Sequence, residues 1–141
     1  EVIGFNSRLD ELQAAFLSVK LKYLDKINDH KIKLASLYQK YLKNEFIKPV
    51  SHPDYHDVFH IYPIRHTHRD MLRAHLLDKD IKTEVHYPVP PHRQKALSGL
   101  FTGMKFPVSE EIHNTIVSLP ISYFHTENDI MKVIETLNNF K

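Results

Sequence analysis

Between Ser7 and Lys43 the chain contains neither proline nor glycine. No other stretch constrains the fold as much, because both residues that punctuate helices are missing from it. Leu9, Leu12, Phe16, Val19, Tyr23 and Ile27 fall three or four apart, the spacing of one apolar helix face. Leu34, Leu37, Tyr38, Tyr41 and Leu42 repeat the pattern. The stripes predict one long helix, or two with a bend near Asn28–Asp29. Asn6 or Ser7 is the expected N-cap, with Asp10 and Glu11 in the first turn, where negative side chains are favoured. Ala14 and Ala15 are small enough for another backbone to come close.

The rest of the chain reads as short elements. Phe46–Val50 and Val58–Arg65 are strand candidates, separated by a loop with Pro53 and Asp54 as turn signals. Pro63 cannot donate to a ladder, so its strand must lie at an edge or break there. Thr67 with Asp70 suggests a capped helix through Leu77. Ile81–His86 alternates apolar and polar residues as a half-buried strand does. Three prolines in the four residues 88–91 then fix an extended, rigid segment, Tyr87-Pro88-Val89-Pro90-Pro91-His92. Ser109 with Glu110 and Glu111 starts a short helix. Ile116–Leu119 is a last strand stopped by Pro120. Thr126 caps a final helix with the stripe Ile130, Val133, Ile134 and Leu137. This order predicts an α+β fold, a small, mostly antiparallel sheet with helices mainly on one face. The expected division is residues 1–43, a long helix or helix pair, and residues 44–141, a small α+β domain, together one compact unit.

Composition excludes several classes. A hydrophobic share of 42% over 141 residues is that of a chain with a core. No apolar run approaches the roughly 20 residues of a membrane span. With 19 basic against 17 acidic residues and no long basic run, a general nucleic-acid binder is not expected. Cysteine is absent, which removes disulfides, thiolate metal sites and cysteine nucleophiles and fits a reducing, cytoplasmic setting. The three glycines cannot build a phosphate-cradling loop.

Few residues could carry chemistry. His66 and His68, on a strand, and His52 and His56, on a helix, have ligand-like spacing, but no carboxylate completes a metal motif, and no metal is expected. His86 ends a predicted strand just before the rigid proline segment, where binding side chains are often presented. A His bonded to a loop carbonyl is the competing reading. His92, Arg93 and Lys95 form a positive cluster suited to a phosphate or carboxylate, or simply solvated. Asn6 and Arg8 flank a helix start, a place that attracts anions, although plain capping also explains Asn6. Nothing composes a complete catalytic unit.

Five stretches taken together resemble one family. They are Gly4-Phe5-Asn6-Ser7-Arg8-Leu9-Asp10-Glu11-Leu12-Gln13-Ala14-Ala15; His60–Arg65 with Arg69-Asp70; Thr83–His92; Phe106–Ile112; and Ser118-Leu119-Pro120-Ile121. In this order they resemble the carboxy-terminal part of the pyridoxal-phosphate sugar aminotransferases of the DegT/StrS type. The resemblance implies the type I aminotransferase fold and a homodimer with active sites at the subunit interface. It further implies a lysine that holds pyridoxal 5'-phosphate, glutamate as amino donor, and a nucleotide-linked keto sugar as acceptor. The segment after His86 looks most like the branch that aminates C3 of dTDP-3-keto-6-deoxyhexoses. Asn6 matches the residue that reaches across the dimer to the cofactor phosphate, and Arg8 accompanies it. His86 and Tyr87 match the segment facing the sugar, and His92 is a further substrate candidate. Pro63 departs from the family's usual Val, and Asp80 from its usual helix-ending Gly.

No lysine here has the family's Schiff-base context, so the catalytic lysine is expected upstream and the chain alone is expected to be inactive. Starting at Glu1 rather than Met, the chain reads as a carboxy-terminal fragment. The rival expectation is a stand-alone, non-catalytic domain that binds sugar nucleotide or regulates.

Overall fold

Residues 3–141 are described by a computed structural model. The pattern between Ser7 and Lys43 folds as two helices, α1 (Glu11–Leu21) and α2 (Leu24–Tyr41). The break falls at Lys22–Tyr23, ahead of the Asn28–Asp29 bend that the stripes suggest. Leu34 and Tyr38 on α2 and Leu42 just past its end lie four apart and are all buried. This is the face an amphipathic helix turns toward a core.

The other elements are β1 (Tyr62–Arg65), α3 (Arg69–Asp78), α4 (Pro107–Thr115), β2 (Ile116–Leu119) and α5 (Glu127–Asn138). The proline segment is not extended to its end: Pro91 and His92 turn into a short 3-10 helix, Pro91–Arg93, and a second, Lys95–Leu97, follows. Helix α5 packs against α2 and α3, burying Ile130, Val133, Ile134 and Leu137. Thr126 caps it in a capping box with Asp129. From α3, Leu72 and Leu76 join the same core. The α+β expectation holds: β1 pairs antiparallel with β2, Tyr62 opposite Leu119 and Ile64 opposite Val117, all four buried.

Two predicted strands shrink to single bridges, one on each side of this pair. Ile47 and Arg65 exchange both backbone hydrogen bonds, at 3.1 and 2.9 Å. The next hydrogen-bonded pair on that ladder would be Pro49 opposite Pro63, and neither has an N–H. Extension is therefore blocked, and the missing N–H of Pro63 falls on the side where pairing has already stopped. On the other side Glu84 and Ser118 exchange bonds of 3.3 and 2.8 Å. Pro120, opposite Lys82, withholds the donor that would lengthen that ladder.

Three caps differ from expectation. Asp10 is the N-cap of α1, its carboxylate accepting from the Gln13 N–H at 2.8 Å. Helix α3 begins after His68 with no side-chain cap, and α4 begins at Pro107, where proline's fixed φ suits the first turn. Asp80 does what a glycine does at a helix end. It sits at φ 59°, its N–H reaches the Leu77 carbonyl at 3.0 Å, and the Ile81 N–H reaches Leu76 at 2.9 Å. That is the Schellman pattern, with Leu76 and Ile81 both buried beside it.

Helix α1 buries none of its residues. Leu9, Leu12, Phe16 and Val19 of its stripe are exposed, as are Leu17 and Leu21. No helix among the described residues is long and apolar enough to cross a membrane.

Candidate functional site

The Glu84–Ser118 bridge brings one predicted site residue, His86, to other polar groups across the fold. In an extended segment side chains alternate, so Lys82, Glu84 and His86 share one face, with Ser118 directly opposite Glu84. His86 is the diagonal neighbour, and its Nδ1 lies 2.9 Å from the Ser118 hydroxyl. Ser118 is 5% exposed, the single buried polar residue among those described. These side chains, with His60 and Pro120, line a cavity of about 120 Å³. His86 is therefore held by a side-chain hydroxyl from β2 rather than by a loop carbonyl.

Tyr87 follows through a cis peptide bond and is 66% exposed, its ring set edge-on to that of His86. His92 is tied down. Its Nε2 lies 3.1 Å from Glu110 Oε1, and its ring lies 4.7 Å from that of Phe106. Arg93 binds the other Glu110 oxygen at 2.8 Å. The hydrogen bond from His92, helped by Arg93, holds the Glu110 carboxyl below the usual carboxylate range. The cluster of His92 and Arg93 thus pins the proline segment to α4 and is largely neutralised by Glu110.

Asn6 and Arg8 lie on the irregular, exposed lead into α1, without a hydrogen-bond or ion-pair partner among the described residues. Since Asp10 occupies the cap, a negative side chain already sits on the first N–H groups of α1. An anion would be met by the Asn6 amide and the Arg8 guanidinium themselves, not by the helix end. Among the described residues no hydrogen bond or ion pair joins these two residues to His86.

The His-rich stretches do not form ligand sets. His52 lies in a turn rather than on a helix, 3.5 Å from Asp54. His66 spends its Nδ1 lone pair on the His68 N–H at 3.1 Å. Burial, with His68 nearby, pushes the His66 imidazole below its ordinary range. Among the described residues no group of three or more His, Asp or Glu could hold a metal ion.

Sequence reasoning missed Ser118, Lys82 and Glu84. The alternation in Ile81–His86 already placed Lys82 and Glu84 on the face of His86. Only the pairing across to β2 brings Ser118 there.

Comparison with known proteins bears on this arrangement. The sequence pattern of the DegT/DnrJ/EryC1/StrS aminotransferase family matches residues 1–138. The dTDP-3-amino-3,6-dideoxy-alpha-D-galactopyranose transaminase of Aneurinibacillus thermoaerophilus is 43% identical over 138 residues, 97% of this chain and 38% of that protein. Among solved structures, DesV of S. venezuelae in complex with a ketimine intermediate superimposes with a TM-score of 0.84 at 35% identity, over 98% of this chain and 38% of that one. The ntda protein of Bacillus subtilis, with bound cofactor PMP, gives 0.80 at 29% identity, over 95% of this chain and 33% of that one.

Proposed function

This chain belongs to the DegT/DnrJ/EryC1/StrS aminotransferase family, and from that premise we propose that it is the carboxy-terminal part of a pyridoxal-phosphate-dependent nucleotide-sugar aminotransferase. The chain spans 38% of the length of its transaminase relative. The activity proposed is that of a cytoplasmic, homodimeric parent, not of these 141 residues alone. Its reaction is transfer of an amino group from glutamate to the C3 keto group of a dTDP-linked 6-deoxyhexose. The carrying observation is the 43% identity to a dTDP-3-amino-sugar transaminase, sustained over 97% of the chain.

The residues present fit a share in holding the cofactor and the sugar. Asn6 and Arg8 are exposed donors free of other partners among the described residues, suited to the oxygens of the cofactor phosphate in the second subunit. When bound, pyridoxal phosphate supplies the carrier for the amino group and the electron sink. His86 presents its free ring nitrogen to the sugar, and Tyr87 adds an exposed phenol beside it at the start of the proline segment. His92 serves the same surface by fixing the segment to Glu110. The apolar residues of α1 cover themselves against the rest of the parent.

The test is expression of the gene's whole reading frame. The long product is expected to bind pyridoxal phosphate and to aminate a dTDP-3-keto-6-deoxyhexose with glutamate, while the isolated chain does neither. Asn6→Ala should weaken cofactor retention, and His86→Ala should raise the KM for the sugar nucleotide. A reading frame encoding only this chain, with sugar nucleotide bound and no cofactor, would instead establish a non-catalytic binding domain.

A further inference from the structure

Resting on the reading that His86 faces the sugar, we infer that Ser118 donates its hydroxyl proton to His86 Nδ1 and so fixes the ring as the Nε2–H tautomer, making His86 a donor to an acceptor oxygen of the sugar nucleotide. The backbone N–H and C=O of Ser118 are both spent on Glu84. Only its hydroxyl is left, and it is buried, with His86 Nδ1 its one hydrogen-bond partner among the described residues.

That leaves two arrangements. If Nδ1 carried the proton, the hydroxyl would accept, and its own proton would have no acceptor among the described residues. If the hydroxyl donates, its buried proton is used, and the one proton left without a partner is the Nε2–H of His86, a half-buried ring that lines the cavity. Buried donors without acceptors are rarer and costlier than unfilled lone pairs. Nδ1 is therefore the acceptor, and the proton of the neutral ring sits on Nε2. Nε2 has no hydrogen-bond partner among the described residues, so this N–H is the group offered to a ligand. A hydroxyl, carbonyl or phosphate oxygen satisfies it, whereas a ligand ammonium does not. Ser118 is thus a positioning residue that acts through His86.

Nitrogen-15 NMR of the histidine-labelled chain, at about pH 8 where imidazole is ordinarily neutral, tests the tautomer directly. The His86 ring is expected to carry its proton on Nε2, with an Nδ1 resonance shifted by an accepted hydrogen bond. Ser118→Ala should remove that shift, and Ser118→Thr should restore it. A proton on Nδ1 in the unmodified chain, or an Nδ1 resonance indifferent to Ser118→Ala, overturns the inference. Should Ser118→Ala fail to fold, the unmodified chain alone decides. In the full-length enzyme, Ser118→Ala should raise the sugar KM by roughly tenfold, the worth of one hydrogen bond, with recovery in Ser118→Thr. The two readings fail separately. An Nε2–H ring with a KM untouched by His86→Ala removes the sugar contact and keeps the tautomer. An Nδ1–H ring with a raised KM in His86→Ala does the reverse.

Discussion

The side-chain amide of Asn138, near the end of the chain, donates to the Tyr41 carbonyl at 2.9 Å. The same amide accepts from the Lys43 N–H at 3.1 Å. One side chain from α5 thus closes the last turn of α2, whose terminal carbonyls have no intrahelical partner. Asn138→Ala removes both bonds and should destabilise the chain by about 1–2 kcal/mol. Urea unfolding should show a lower midpoint with an unchanged slope. An unmoved midpoint would mean that water replaces both bonds without loss.

Asp80 occupies a left-handed position, at φ 59°, that glycine adopts without strain. Asp80→Gly should stabilise the chain by about 0.5–1 kcal/mol, the left-handed cost relieved less the extra freedom of the unfolded glycine. Thermal unfolding is the measurement. Asp80→Val, with a β-branched side chain at the same φ, should lower the melting temperature, so the pair of variants isolates the backbone effect.

Thr126 and Asp129 satisfy each other at the start of α5. Thr126→Ala should cost about 1 kcal/mol, as loss of an N-cap does. The same contact carries a pH signature. Hydrogen bonds from the Thr126 backbone and hydroxyl hold the Asp129 carboxyl below its ordinary 3.8. The folded state therefore binds the proton less readily than the unfolded one. Stability from this contact is present above the ordinary carboxylate pKa and is lost as pH falls through the depressed one. Melting curves at descending pH should show Thr126→Ala losing less stability in acid than the unmodified chain.

Tyr62 stacks on Tyr38 at 4.8 Å between ring centroids, and the Tyr38 hydroxyl donates to the Pro120 carbonyl at 2.8 Å. The Tyr62 hydroxyl is buried with no hydrogen-bond partner among the described residues. Burial pushes its pKa well above the ordinary value for tyrosine. Tyr62→Phe keeps the stack and removes the unsatisfied group, so it should stabilise the chain by about 1 kcal/mol. Tyr38→Phe, which leaves the Pro120 carbonyl without its donor, should do the opposite. Equal effects of the two changes on chemical denaturation would show that the hydroxyls do not differ.

The amino-acid sequence by itself determined the elements whose signals are local. The stripe and cap of α5, the buried face of α2 and the strand ending at Pro120 are all written in spacing and side-chain type. Such signals survive because they act within a few residues. The five ordered segments likewise carried the family, and His86 stood out by its place between a strand and a rigid loop.

Tertiary structure decided what depends on two distant segments meeting. The shortening of the strand near Ile47 follows from Pro49 falling opposite Pro63, a coincidence of register that neither segment shows alone. Ser118 is an ordinary strand serine until the Glu84 bridge sets it under His86. The stripe of α1 is plain in the sequence, yet only the fold shows that these residues offer it no partner and leave it exposed. Periodicity states which face of a helix is apolar; which surface covers that face is a property of the assembled molecule.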